Sequence, residues 1–123
     1  MSAAIDYLLH LADNALVLGQ RNAEWCGHGP ILEEDIALSN VSLDLIGQAR
    51  LLYQLVATLK GGDCTEDKLA YFRDTHEFRN YTLLELPHHG PLSGYAQSDL
   101  DYGTTIVRNF LYSALMALLW EAL

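Results

Sequence analysis

The spacing of apolar residues constrains this chain more than any other feature of its sequence. Between Ser2 and Asn22, apolar residues recur every three or four positions, which is the spacing of one face of a helix. Asp6 and Asp13 fall outside this stripe. The sequence therefore predicts a long first helix. Its predicted apolar face consists of Ile5, Leu8, Leu9, Ala12, Ala15, Leu16 and Gly19.

A second long helix is predicted from Leu32 to Leu59. Three acidic residues at positions 33–35 lie in its first turn, where the positive end of the helix dipole favours them. The run Lys-Gly-Gly at positions 60–62 then supplies a stop signal. The predicted apolar face of this helix consists of Leu38, Val41, Leu45, Leu52, Leu55 and Leu59.

The segment after the second helix gives weaker signals. A shorter helix is predicted from Thr65 to Glu77, with Thr65 as its N-cap. Residues 80–86 fit either a continuation of that helix or an extended stretch. Residues 87–94 are predicted to form a polar loop that contains His88 and His89.

A last helix is predicted from near Asp99 to the end of the sequence, where no C-cap signal is found. Its predicted apolar face consists of Ile106, Phe110, Ala114, Ala117 and either Trp120 or Glu121. With no strand-like alternation, the pattern predicts an all-α fold of three long helices and a short one, in a single domain over residues 1–123. Because a bundle of this kind needs a fourth long helix, we expect this domain to be incomplete. A fragment is favoured over completion by another chain or an unusual small bundle.

Charge and cysteine content exclude several classes of partner and site. The chain carries 16 acidic and 7 basic residues, a net charge of -9, which argues against nucleic acid and anionic membranes as partners. The longest apolar stretch, from Phe110 to Trp120, is too short to span a bilayer. Cys26 and Cys64 match neither a disulfide framework nor a zinc pattern, so we expect free thiols and a cytoplasmic location.

The middle of the second helix is where a helical bundle could hold metal. Di-iron bundles use a Glu on the first helix and Glu-x-x-His on the second, because the i, i+3 spacing places both ligands on one face. Leu45 and Gln48 have that spacing, and Ala15 is the facing position on the first helix. Leucine and alanine have no donor atom, and glutamine has only a weak neutral oxygen. The sequence therefore predicts no metal site and no catalytic residue at these positions.

Other polar residues leave alternatives open. Gln48 is interpreted as a core glutamine with satisfied hydrogen bonds, or else as part of a contact between subunits. Asp44 is expected to pair with a base or to cap a backbone group. The segment 24–30 is interpreted as a turn, because of its glycines and proline, in preference to a metal corner. That corner would use Glu24, Cys26 and His28. His10 and His76 are predicted to be isolated.

Three motifs carry a family resemblance. They are DNALVLGQR at positions 13–21, EWCGHGP at 24–30 and LDLIGQAR at 43–50. In this order they resemble the PaaC family, the structural (non-catalytic) subunits of ring-1,2-phenylacetyl-CoA epoxidases. The similarity extends weakly through positions 72–74 and 105–117 and corresponds to the N-terminal half of such proteins. Its structural motif residues are Glu24, Trp25, Gly27, His28, Pro30 and Asp44.

The resemblance implies a ferritin-like four-helix bundle beside a related catalytic subunit. Aligning Asp44 and Gly47 with the Asp and Gly of the catalytic subunit's second-helix motif places Leu45 and Gln48 at its ligands. The same register places Ala15 at the first-helix Glu. The resemblance thus implies that all three ligand positions are degenerate here.

The resemblance implies a structural subunit of a multicomponent oxygenase in phenylacetate degradation, which supports a related catalytic subunit. The related catalytic subunit holds a di-iron site and adds one oxygen atom from O2 across the ring of phenylacetyl-CoA, with electrons from a separate reductase. This chain is expected to be non-catalytic, without a cofactor of its own, and to pair with that subunit and others of the complex. Its first two helices are expected to pack against a subunit of similar fold, and in isolation it could form a homo-oligomer.

Two other functions are weighed. One is a di-metal carboxylate oxygenase with ligands outside this chain, to which Glu121 could add one carboxylate. The other is a helical interaction module unrelated to oxygenation.

Overall fold

The computed structural model of the chain describes residues 2–86 and 102–123. Its described regular structure is entirely helical, which confirms the predicted all-α class with three long helices and a short one. The predicted loop with His88 and His89, and the predicted helix start near Asp99, lie outside the described residues. The α-helices are α1 (Ser2–Ala23), α2 (Leu32–Lys60), α3 (Glu66–Tyr71) and α4 (Tyr102–Ala122). Two 3-10 turns, Thr75–Glu77 and Thr82–Glu85, lie between α3 and α4.

The chain forms two compact units, one ending at Glu85 and the other beginning at Leu86. The core of the first unit is the contact between α1 and α2. Gly19 allows the two helices to approach closely, because a Cβ at this position would lie 3.0 Å from Ile46 Cγ1 and 3.4 Å from Leu45 Cβ. The predicted α1 stripe is confirmed at its centre. Its buried members are Leu9, Ala12, Ala15, Leu16 and Gly19.

The buried face of α2 differs from the predicted one. Leu38 and Leu45 are buried as expected, whereas Val41, Leu55 and Leu59 are exposed. On a helix with 100° per residue, the buried set lies roughly 60° away from the predicted stripe. Apolar residues occur around most of α2, so their spacing alone cannot select the face that meets α1. The buried residues are Leu38, Ser42, Leu45, Ala49, Tyr53 and Val56.

Local signals fix the end of α2 and the start of α3. Helix α2 ends at Lys60, and Gly61 and Gly62 adopt φ values of 70° and 62°, which side chains disfavour. Thr65 is the N-cap of α3, since its hydroxyl accepts a hydrogen bond from Lys68 N–H at 3.3 Å. Both predictions are confirmed.

Helix α3 ends at Tyr71, six residues before the predicted end at Glu77. Residues 75–77 form a separate 3-10 turn because the carboxylate of Glu77 accepts a hydrogen bond from Asp74 N–H at 2.7 Å. That bond caps a new turn instead of continuing α3. The ambiguous segment 80–86 contains the second 3-10 turn rather than an extended strand.

The second unit contains α4, whose buried face also differs from the prediction. Residues buried at helical spacing are Thr105, Arg108, Tyr112 and Met116. The predicted residues Ile106, Phe110, Ala114, Ala117, Trp120 and Glu121 are all exposed. Helix α4 is apolar around most of its circumference, and the buried side includes an arginine whose guanidinium donates to Leu86 O. Apolar periodicity cannot identify such a face. No helix in the described parts of the chain has the length and apolarity needed to cross a membrane.

Candidate functional site

The three predicted ligand positions do not form a set of metal donors. Ala15 and Leu45 are buried, and Leu45 lies against Gly19, one turn after Ala15 on α1. Gln48 is exposed, so the interpretation as a core glutamine is wrong. Because alanine and leucine have no donor atoms, these positions do not fit the metal site of a di-iron bundle. Within residues 2–86 and 102–123, no three His, Cys, Asp or Glu side chains are grouped to hold a metal ion.

The segment 24–30 is a turn, as predicted. Trp25 is buried and anchors it, and His28 N–H donates to Trp25 O at 2.8 Å. Gly27 has a φ of 83°, and its N–H donates to Asp35 Oδ2 at 3.2 Å. A side chain at Gly29 would collide with the same carboxylate. The glycines therefore allow the chain to close onto the first turn of α2. Exposed residues of the turn are Glu24, Cys26, Gly27, His28 and Pro30.

The disfavoured alternative for this turn, a metal corner, is not formed by Glu24, Cys26 and His28. Glu24 pairs with Arg21 at 2.9 Å rather than approaching Cys26 and His28. Cys26 and Cys64 are free thiols, as expected. The expectation for Asp44 is wrong, because this exposed carboxylate makes no hydrogen bond or ion pair in the part of the chain that the structure describes.

Asp13 fell outside the predicted stripe but is completely buried, and its carboxylate accepts four hydrogen bonds. Its Oδ1 accepts hydrogen bonds from Tyr53 Oη at 2.5 Å and from Arg73 Nη2. Its Oδ2 accepts from Arg73 Nη1 at 3.2 Å and from the backbone N–H of Arg79 at 2.9 Å. We call Asp13, Tyr53 and Arg73 the Asp13 clamp. It joins α1, α2 and the segment after α3 at one point.

Arg73 is satisfied on every side of its guanidinium. Nε donates to Leu69 O at 2.7 Å and Nη1 to Glu77 O at 3.1 Å. The guanidinium also lies over the ring of Phe78, with 4.3 Å between Cζ and the ring centroid. Burying a charge pair is costly, and these additional contacts offset the loss of hydration.

Tyr53 is the third member of the clamp and is fixed as a donor. Burial, and then its hydrogen bond to the Asp13 carboxylate, raise the pKa of Tyr53 well above its ordinary value. The phenol therefore stays protonated at neutral pH. The donors of the four hydrogen bonds to the Asp13 carboxylate belong to α2 and to the segment after α3, so Asp13 holds both to α1.

Residues 79–85, which we call the strap, are attached to α1 through backbone groups. Asn14 Oδ1 accepts from Tyr81 N–H at 2.8 Å, and Arg21 Nη2 donates to Glu85 O at 2.6 Å. His10 Nδ1 donates to Arg79 O at 2.6 Å, while its Nε2 accepts from Asn14 Nδ2 at 3.3 Å. The prediction that His10 is isolated is therefore wrong. Polar side chains along one side of α1 thus hydrogen-bond the backbone of the strap and hold it against this helix.

This polar row was not predicted from the sequence. Its one visible signal is the spacing of His10, Asp13, Asn14 and Arg21, which places them along one side of α1. That side lay outside the apolar stripe, so it was not assigned to the core. The partner Arg73 lies 60 residues further along the chain, and nothing local points to it.

Comparison with known proteins gives two findings. The family model described as "Phenylacetic acid catabolic protein" matches residues 1–123. One subunit of the 1,2-phenylacetyl-CoA epoxidase of Escherichia coli (strain K12) is 52% identical over 88 residues. These residues are 71% of this chain and 35% of that protein, so the match spans about a third of the relative's length.

Proposed function

We propose a function from one established premise: the chain belongs to the phenylacetic acid catabolic protein family, whose model matches its full length. The resemblance seen in its motifs and the all-α, ferritin-like fold that it implied are thereby confirmed. The proposed function is that of a structural subunit in a multicomponent di-iron oxygenase. That oxygenase epoxidises the ring of phenylacetyl-CoA in phenylacetate degradation, and this chain supports a related catalytic subunit.

The observation that carries the proposal is the chemistry of Ala15 and Leu45. Both are buried near the α1–α2 contact. The family resemblance implies that they stand where the related catalytic subunit has metal ligands. Metal coordination in proteins requires oxygen, nitrogen or sulfur donors, which these side chains lack. The di-iron cofactor, which supplies the oxygen chemistry, is therefore assigned to the partner, and this chain holds none of its own.

The Asp13 clamp also supports a structural role, because its charged side chains make structural contacts. In the interior of the first unit, Asp13 and Arg73 bind each other. Asp13 also binds the backbone of the strap, and Arg73 binds the backbone oxygen of Glu77. A site that reacts with substrate needs groups that can exchange protons or bind a ligand. These side chains instead fix the relative positions of α1, α2 and the strap.

Exposed apolar residues on α2 support a protein partner. Leu43, Leu51 and Leu55 are exposed along this helix, and apolar surface of this kind usually marks an interface. We assign this exposed surface to a contact between the α1–α2 hairpin and a subunit of similar fold. When the protein is isolated, the same surface is expected to mediate self-association. The net charge of -9 makes nucleic acid and anionic membranes poor partners, and the proposed location is the cytoplasm.

Metal analysis tests this assignment. The full-length protein, purified alone from iron-replete cells, is expected to hold far less than one iron per chain. Its complex with the related catalytic subunit is expected to hold two irons per catalytic subunit and no more. Two tightly bound irons per chain in the isolated full-length protein would refute the structural role.

A further inference from the structure

A cleft lies beside α3, and Tyr53 is the one member of the Asp13 clamp that lines it. Its volume is about 310 Å³, near the lower end of the range for ligand pockets, which is roughly 300–1,000 Å³. All of the lining residues that the structure describes belong to the first unit. Its apolar lining comes from α1, α2 and α3. These lining residues are Leu16, Ile46, Ala49, Tyr53, Ala70 and Tyr71.

One residue that lines the cleft, Tyr53, is held in place by buried polar contacts. The hydroxyl of this residue is bonded to the buried carboxylate of Asp13. Arg73 also lies 5.7 Å from the centroid of the Tyr53 ring. A side chain with fixed partners loses little conformational freedom when a ligand binds, so the cleft is preorganised.

The rim of the cleft carries more negative than positive charge. Arg50 and Glu66 pair across it at 3.3 Å, but the Arg50 side chain is 67% exposed, and exposed pairs of this kind contribute little. Asp67 also lines the rim and makes no ion pair with any residue that the structure describes. A basic group on a partner can therefore approach Glu66 and Asp67 at small cost to the chain.

Two aromatic residues stand next to the cleft without cover in the structure. Tyr71 lines it and is exposed, and Phe72, the following residue, is 77% exposed. Tyrosine and arginine are enriched among the residues that carry most of the binding energy in protein interfaces. The combination of an apolar cavity, exposed aromatic rings and an acidic rim fits a protein segment better than a small anionic ligand.

We propose that this cleft docks a segment of the related catalytic subunit that inserts one apolar side chain and places a lysine or arginine against Glu66 and Asp67. The proposal rests on the proposed function, because it takes its partner from the same complex. The cleft adjoins the exposed surface of α2, because Ile46 and Arg50 line the cleft and lie on that helix.

Two variants of the full-length protein test the proposal. Ala70→Phe fills the cleft from α3, and Asp67→Lys reverses charge at the rim. Asp63→Lys is the matched control, because Asp63 is exposed in the nearby α2–α3 connection but does not line the cleft. The dissociation constant for the catalytic subunit is measured by calorimetry, with circular dichroism as the check on folding. Both cleft variants are expected to bind about tenfold more weakly, and the control within about twofold of wild type.

Salt dependence separates the charge contact from the apolar contact. The wild-type affinity is expected to fall as salt rises, and Asp67→Lys is expected to remove part of that dependence. Unchanged affinity in both cleft variants, while the wild-type complex forms, would overturn this proposal alone. A wild-type protein that binds no subunit would overturn the proposed function as well.

Two further outcomes would assign the cleft to another occupant and also overturn the proposal. One is a change in self-association, measured by sedimentation, with affinity for the catalytic subunit unaltered. The other is a large fall in the melting temperature of isolated Ala70→Phe together with an unchanged affinity of Asp67→Lys for the catalytic subunit, the combination expected if the protein's own residues fill the cleft.

Discussion

The buried carboxylate of Asp13 and the guanidinium of Arg73 depend on each other. Neither group has enough solvent contact to replace a lost partner with water, since the Arg73 side chain is 12% exposed and Asp13 is completely buried. Asp6, the other aspartate of α1, instead forms an exposed ion pair with Arg79 at 3.9 Å. Sequence could not predict which of the two aspartates of α1 is buried, because both lie outside the apolar stripe.

Asp13→Asn should destabilise the full-length protein by about 3–5 kcal/mol, because it leaves Arg73 buried without its counter-charge. Asp6→Asn, the matched change at the exposed pair, should cost less than about 1 kcal/mol. Urea unfolding followed by circular dichroism measures both. Equal losses in the two variants would show that the Asp13 clamp is no stronger than a surface pair.

Tyr53 should make stability depend on alkaline pH. Its pKa is raised in the folded protein by burial and by Asp13. Its contribution is therefore complete below the unfolded-state value of about 10 and declines as pH rises above it. The unfolding free energy should fall more steeply above about pH 10 in wild type than in Tyr53→Phe. Parallel curves for the two proteins would rule out this effect.

At the scale of helices, sequence was most informative where polar and apolar residues separate cleanly. The ends of α1 and α2, the glycine stop after Lys60 and the Thr65 cap follow from local chemistry, and the structure confirms them. The buried faces of α2 and α4 were misjudged because both helices are apolar on several sides. The burial of Ala15 and Leu45 was nevertheless predicted, since each lies within both the predicted and the observed face.

The crossing of α1 and α2 predicts opposite effects for two glycines. Gly19→Val should destabilise the protein by about 1–3 kcal/mol, because the new side chain meets Ile46 and the backbone oxygen of Ser42. Gly47→Ala should stabilise it by about 0.5–1 kcal/mol, since the added methyl group meets no packed neighbour within 4 Å and alanine favours helix. Thermal unfolding of the two variants against wild type provides the measurement. A stabilising Gly19→Val would contradict the close approach of the helices.

Across the described parts of the chain, the buried charged side chains hold segments of the chain together. Asp13 and Arg73 join α1, α2 and the strap, and Arg108 donates to Leu86 O. The positions that the family resemblance aligns with metal ligands hold Ala15, Leu45 and an exposed Gln48. That these ligand positions are degenerate follows from the family motifs and stays a prediction. The clamp and the α3 cleft could not be predicted from sequence, because each depends on contacts between residues far apart in the chain.

Oxygenation by separated subunits tests the proposed structural role most directly. The full-length protein, its related catalytic subunit and an equimolar mixture are each supplied with phenylacetyl-CoA, O2 and reducing equivalents, and the epoxide is measured by mass spectrometry. We predict no epoxide from the full-length protein alone and the highest yield from the mixture. Epoxide formed by the full-length protein alone, at a rate comparable to that of the mixture, would contradict the structural role.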